Sequence, residues 1–181
     1  MISGLDPEAL KPLASRLGAG VRVGSPREAA AFGDVILISV PYNALPQVGR
    51  DYAREMAGKV VLETGNPYPQ RDGGMADEAR RVGTGVASAG YLPGVRLVRA
   101  FNAIAAATLR DLGNRPGSRV AIPLAGDDAA ALAIASRLVR DAGFDPVVVG
   151  GLSAAKSFDV GTSVYVKVLD AAQLRAELKL P

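Results

Sequence analysis

The chain has 181 residues with a formal net charge of +3, an apolar fraction of 49%, and neither cysteine nor histidine. That length suits one domain, residues 1–181, and is short for two; disulfide and thiol chemistry are excluded, and the commonest metal ligand and general base are both missing, so a zinc site has no support. No run approaches the roughly 18 apolar residues of a membrane span, Asp6 and Glu8 interrupt the N-terminus before a signal peptide can form, and the cations are scattered with few aromatics, so the expectation is a cytoplasmic protein with neither nucleic acid nor membrane as partner.

In chain order, Asp6 caps a helix over residues 6–17, with Pro7 and Glu8 in its first turn. Leu10, Leu13, Ala14 and Leu17 form its apolar stripe, and Gly18 stops it. Residues 21–23 form a short strand. Ser25 then opens a short helix to about Phe32, with Glu28 at capping-box spacing. Residues 35–40 are almost continuously apolar, the pattern of a strand covered on both faces, and Pro41 ends it. A helix over 45–56 leads through Gly58 to a second buried strand at 59–64. Residues 65–74 are rich in Gly, Pro and Asn and read as loop, followed by a turn or two of helix at 75–81. A strand at 98–101 precedes a helix at 103–112 and a turn at 114–118. A strand at 120–125, a helix capped by Asp127 or Asp128 and running to Asp141, a strand at 146–149 and a last helix at 171–178 complete the chain.

Strands and helices alternating through short connections predict an α/β fold of the doubly wound, Rossmann-like type, with a mostly parallel sheet and right-handed crossovers. The expected core is Val35, Leu37, Val40, Val60, Leu62, Val98, Phe101, Val120, Ile122, Leu124, Val147 and Val149. Such sheets bind ligands beyond the carboxyl ends of their strands. Three strand-end segments carry suggestive chemistry. In Ser39-Val40-Pro41-Tyr42-Asn43, Pro41 fixes the exit of the chain and Tyr42 and Asn43 are expected at the rim; the alternative is a proline turn with Asn43 as a cap. In Glu63-Thr64-Gly65-Asn66-Pro67-Tyr68, Gly65 permits close approach of the backbone and Asn66 offers a donor and an acceptor. In Arg99-Ala100-Phe101-Asn102-Ala103, Phe101 is expected in the core. Asn102 is expected to cap a helix starting at Ala103 while its amide donors face a ligand. An Asn102→Asp change should then preserve the cap and the stability. No Gly-x-Gly-x-x-Gly stands between a strand and a helix. Gly18 and Gly20 follow a helix, Gly83 and Gly85 lie in a loop, and Gly150-Gly151 reads as having no strand–glycine–helix unit around it.

The ordered set Ile38-Ser39-Val40-Pro41-Tyr42, Gly65-Asn66-Pro67-Tyr68 and Arg99-Ala100-Phe101-Asn102 resembles the NADP-dependent oxidoreductase family that includes the deazaflavin-coenzyme-linked NADP reductases. Phe158-Asp159-Val160-Gly161-Thr162 and Lys167-Val168-Leu169 extend the resemblance over nearly the whole chain. The resemblance implies a domain that is N-terminally truncated, lacking the glycine-rich strand and helix with which the family begins. It implies NADP, with NAD as the alternative, bound by Ser3 and Gly4 on the adenosine side. Val40, Pro41 and Tyr42 would flank the dinucleotide backbone, Asn66 and Pro67 the nicotinamide ribose, and Phe101 and Asn102 the nicotinamide and substrate end. Leu5 falls where members preferring NADP carry Arg, and an apolar side chain cannot pair with a 2′-phosphate; Lys11 is one turn further on. The implied reaction is hydride transfer to or from a small-molecule or deazaflavin-type substrate. In it positioning carries catalysis, no acid–base residue is compulsory, and a homo-oligomer is allowed. Alternative readings are a catalytically degenerate Rossmann-like binding protein and a non-redox nucleotide-binding enzyme.

Overall fold

Runs of β-branched and aliphatic residues set the strands, and proline, glycine or a capping side chain sets most of their neighbours. The computed structural model describes all residues, Met1–Pro181. Strands β1 (Ile2–Ser3) and β2 (Val23–Gly24) pair in parallel as a small separate ribbon. The main sheet contains β3 (Val35–Ile38), β4 (Val60–Glu63), β5 (Arg96–Arg99), β6 (Ala121–Gly126) and β7 (Asp145–Gly150), side by side in chain order. Pairings β3–β4, β4–β5 and β6–β7 are parallel, and β5–β6 is antiparallel. The sheet is therefore mostly parallel, with one reversal. Pro123 sits inside β6 without breaking it, because β5 pairs only with Ala125 and Gly126.

Ten α-helices accompany the strands: α1 (Lys11–Leu17), α2 (Pro26–Phe32), α3 (Leu45–Asp51), α4 (Ala53–Met56), α5 (Pro69–Asp72), α6 (Gly74–Val82), α7 (Thr84–Tyr91), α8 (Ala106–Asp111), α9 (Ala129–Asp141) and α10 (Ala171–Glu177). The Asp6 carboxylate accepts from the N–H of Glu8 at 3.0 Å, opening a 3-10 turn that runs into α1. Ser25 and Glu28 form the expected capping box on α2, and Asp128 rather than Asp127 caps α9. A second capping box, Asp170 with Gln173, starts α10.

Several expectations are corrected. The segment 65–74 is not all loop, since Pro69 starts α5. Helix α7 escaped the sequence reading because its Thr-Gly-Val-Ala-Ser-Ala-Gly-Tyr run has no apolar stripe. Its small residues serve close packing: a Cβ on Gly85 would lie 2.3 Å from the carbonyl oxygen of Leu152. The helix after β5 starts at Ala106, not Ala103, so Asn102 caps nothing.

Alternation splits the sheet into two buried faces. Val61 and Leu97 pack with Tyr42, Leu45, Met56 and Leu92 on one. Val60, Leu62, Val98, Ile122 and Leu124 pack with Ala131, Ala135 and Val139 of α9 on the other. Leu37 was expected in the core but is 59% exposed. It sits opposite Leu62 in register, yet α9 lies over β5, β6 and β7 and does not reach β3. Val35, Val40, Phe101 and Val149 are only partly buried; the other predicted core residues are buried.

Truncating Leu124 to Ala should therefore cost about 2–5 kcal/mol, whereas Leu37→Gln should change stability by no more than about 0.5 kcal/mol. Urea unfolding of both variants separates the two sites, and equal losses would show that β3 is packed more tightly than this face allows.

Candidate functional site

Register places Ile38, Glu63 and Arg99 side by side at the carboxyl ends of β3, β4 and β5. Glu63 follows Val61, and Arg99 follows Leu97, at a spacing of two. Both side chains thus point into the face covered by α7 rather than to water. Each is fully buried. They form an ion pair through Arg99 Nη1 and Glu63 Oε2, and Nη1 also donates to the Glu63 carbonyl at 3.2 Å. Arg99 Nη2 lies 3.8 Å from Oδ1 of Asp159, which accepts through its other oxygen from the Thr84 N–H at 2.9 Å.

The Glu63 carboxylate is further held by the Gly65 N–H and by Ser88 Oγ, which donates at 2.9 Å. Because Ser88 gives its only proton to Glu63, the Tyr42 hydroxyl must be the donor in the 3.3 Å contact between Tyr42 and Ser88. Burial pushes the Tyr42 phenol well above its ordinary range. Gly65 has a specific reason to be glycine: a Cβ would sit 2.5 Å from Glu63 Oε1 and 3.3 Å from the Tyr42 ring.

A second carboxylate joins the two loops above this floor. Asp72 accepts from the N–H groups of Tyr68 at 2.7 Å and Asn43 at 3.2 Å, and from the Arg71 guanidinium at 2.8 and 2.9 Å. Those bonds, Arg71 foremost, hold the Asp72 carboxyl below the usual carboxylate range. Arg71 also donates to the carbonyl of Asn66 at 2.7 Å.

Asn66 and Asn102 meet at the centre. Asn66 Nδ2 donates to the carbonyl of Asn102 at 2.8 Å and to Tyr165 Oη at 3.3 Å, and Asn102 Nδ2 donates to the Phe158 carbonyl at 3.4 Å. The carbonyl partners fix both amide orientations. Oδ1 of each residue is consequently buried without any hydrogen-bond donor. Such orphaned acceptors are uncommon and costly. Tyr165 Oη is 2.6 Å from Tyr68 Oη. Phe101, between the strand and Asn102, has a left-handed φ of 60°, and Val166, after Tyr165, one of 53°. For bulky or β-branched side chains this is strained backbone, held here by surrounding bonds such as Val166 N–H to the Ala103 carbonyl at 3.0 Å.

The predicted residues are thus partly gathered. Val40, Pro41, Asn66, Pro67, Phe101 and Asn102 lie at or just beyond the ends of β3, β4 and β5. Tyr42 was expected at the rim but is fully buried below it, because its ring packs in the core beside Leu45 and its hydroxyl joins Ser88. Asn102 makes its hydrogen bond to Phe158 instead of capping, so Asn102→Asp would lose that donor in a buried place and is not neutral. Ser3 ends β1 in the separate ribbon and Gly4 follows it, and no hydrogen bond joins them to this cluster. Lys11 is ion-paired with Glu8 at 2.5 Å on the surface. Ser88, Asp159 and the Tyr68–Tyr165 pair were missed. The usable signal was a charged residue ending each of two apolar strands, Glu63 and Arg99. Gly150-Gly151 does follow a strand, β7, and precedes a 3-10 segment at Leu152–Phe158. The Leu152 N–H at its start is already taken by the Asp127 carboxylate at 2.8 Å.

Against known proteins, residues 1–67 match the family model described as NADP oxidoreductase, coenzyme F420-dependent. No curated protein sequence matches the chain. A hypothetical protein from Sinorhizobium meliloti aligns with TM-score 0.77 and 25% identity over 91% of this chain and 79% of that one. A protein from Arthrobacter described as an F420-dependent NADP reductase aligns with TM-score 0.56 and 19% identity, over 74% of this chain and 63% of that one. An imine reductase from Myxococcus stipitatus, solved with NADP+, aligns with TM-score 0.54 and 21% identity, over 86% of this chain and 48% of that one. The chain therefore spans less than two thirds of either reductase. These likenesses establish the α/β Rossmann-like fold. No helix is long and apolar enough to cross a membrane.

Two outcomes follow from the buried charges. Arg99→Met should cost about 3–5 kcal/mol, since it strands the Glu63 charge, and the double change with Glu63→Leu should recover part of that loss in denaturant titrations. Full additivity would mean that the two charges do not act as a pair. Asp72 is depressed in the folded state, so its contribution is present above the unfolded pKa of about 3.9 and is lost as pH falls through the folded value. The stability gap between parent and Asp72→Asn should accordingly close in acid; a constant gap from neutral pH downward would contradict the assignment.

Proposed function

We propose that this chain, whose residues 1–67 match the coenzyme F420-dependent NADP oxidoreductase family, serves as an NAD(P)-dependent oxidoreductase domain. It would move hydride between a nicotinamide dinucleotide and a second cofactor or small substrate, with a deazaflavin as the favoured class. The observation that carries the reading is the pair of donorless buried oxygens, Asn66 Oδ1 and Asn102 Oδ1, at the ends of two parallel strands. A primary carboxamide brings two N–H donors on one nitrogen, which is the complement these acceptors lack. The nicotinamide, when bound, supplies the hydride; the chain's own part is to hold and orient the ring.

In this reading Asn66 and Asn102 hold the carboxamide and ribose, with Phe101 and Pro67 as apolar walls. Val40 and Pro41 line the path of the dinucleotide backbone, over the rigid floor that includes Tyr42. Ser3 and Gly4 serve the adenosine side. NADP is favoured by the family match, with NAD as the alternative, since Leu5 cannot pair with a 2′-phosphate and Lys11 is engaged by Glu8.

Calorimetric titration with NADPH and NADH tests the reading. Saturable binding weaker than low micromolar is expected, because no strand–Gly-x-Gly-x-x-Gly–helix unit cradles the pyrophosphate in this sequence. Asn66→Ala should weaken it about tenfold, or about 1.4 kcal/mol. Absence of saturable binding for both dinucleotides would sink the proposal.

A further inference from the structure

Reduction of a C=N bond by hydride puts one hydrogen on carbon and requires one proton on nitrogen. The chain has no histidine or cysteine to deliver it. Glu63 is committed to Arg99, Ser88 and Gly65, and Asp72 to Arg71 and two backbone N–H groups, while Asp159 accepts from the Thr84 N–H and faces the Arg99 charge at 3.8 Å. One polar group beside Asn66 remains free to donate.

That group is the hydroxyl of Tyr165. Its oxygen accepts from Asn66 Nδ2 at 3.3 Å. Asn66 has no choice in this, because its other amide proton goes to the Asn102 carbonyl at 2.8 Å. Tyr68 Oη is 2.6 Å away and half exposed, so its proton can be given to Tyr165 and replaced from water. When Tyr68 is the donor of that contact, the Tyr165 oxygen has both acceptor positions filled and its own proton free to turn outward. The position is imposed from three sides. Asp159 ties the start of the segment to Thr84, Val166 N–H bonds to Ala103, and the Leu169 carbonyl accepts from the Ala121 N–H at 2.8 Å. Val166 accepts a left-handed φ of 53° to keep Tyr165 where it is.

Building on the proposed oxidoreductase reading, we propose that Tyr165 is the proton donor of this site. Its O–H bond breaks as an N–H bond forms on the substrate nitrogen, while hydride from a reduced nicotinamide dinucleotide arrives at the adjacent or conjugated carbon. The phenolate left behind is stabilised by the Asn66 and Tyr68 donors and is reprotonated from water through Tyr68. The ligand class is accordingly a conjugated imine or deazaflavin, whose nitrogen takes the proton, rather than a substrate reduced without proton uptake.

The test uses the full chain with deazariboflavin as the acceptor probe. In the absence of dinucleotide, fluorescence quenching should show deazariboflavin binding that Tyr165→Phe weakens about tenfold and Tyr91→Phe, away from this pair, leaves unchanged. With NADPH present, Tyr165→Phe should slow hydride transfer by roughly a hundredfold with NADPH affinity altered less than about threefold, and Tyr68→Phe should slow it less and keep the solvent deuterium isotope effect seen in the parent, because Tyr165 still delivers the proton. If Tyr165→Phe does not fold, the parent isotope effect and the slower rate of Tyr68→Phe decide the matter. A Tyr165→Phe protein that turns over at the parent rate, or a parent with no solvent isotope effect, overturns the inference. A parent that binds no NADPH overturns the functional reading itself, and the proton donor with it.

Discussion

Two opposite charges sit fully inside this domain, at the ends of adjacent strands, and much of the site is arranged to hold them. Burying Glu63 and Arg99 without their partners would cost several kcal/mol each. The penalty is offset mainly by the bonds on the Glu63 side, and each partner recruits a different element. Gly65 must lack a side chain so that its N–H can reach Glu63, which fixes the turn leading to Asn66. Ser88 draws in α7, and α7 in turn packs its Gly85 against Leu152. Asp159 answers the rest of the Arg99 charge and brings with it the segment bearing Tyr165. Arg99 Nε and Nη2 nonetheless keep no hydrogen-bond partner, so the cluster is tight on its Glu63 side and under-satisfied toward Asp159.

Much of this was readable from the sequence, and the failures share a cause. Apolar runs such as Val60-Val61-Leu62 gave the strands, and side chains with capping chemistry, Ser25 with Glu28 and Asp128, gave helix starts, because both signals are local. Helix α7 was invisible because its composition answers to a neighbouring carbonyl at Gly85 rather than to a stripe of its own. The Asn66 and Asn102 positions emerged from strand-end reasoning, yet the role of Asn102 as a cap did not. Capping required a helix beginning at Ala103, whereas Phe101 turns left-handed and delays the helix to Ala106. Tyr68 and Tyr165 are 97 residues apart, and no local pattern reports such a pair.

The exposure of Leu37 and the burial of Glu63 and Arg99 follow from the same topological fact. In β3, β4 and β5 the strand order advances monotonically with the chain. Right-handed crossovers that always step in one direction place their helices on one side of the sheet. The apolar residues of α3, α4, α6 and α7 accordingly share a cluster with Val61 and Leu97, and Glu63 and Arg99 point into that same crowded side. The opposite face is covered only where the antiparallel step to β6 allows α9 to fold back, over β5, β6 and β7. Leu37 lies beyond that reach. Within the main sheet the order runs from β3 to β7 without reversal. A covering wall is supplied by the C-terminal segment, bonded to Thr84 at one end and to Ala121 at the other, which lays Tyr165 across the strand ends. The same segment brings Tyr165 into hydrogen-bonding distance of Asn66 and Tyr68, so the strand-end amides are tied to the C-terminal segment by side chains that strand order alone does not place.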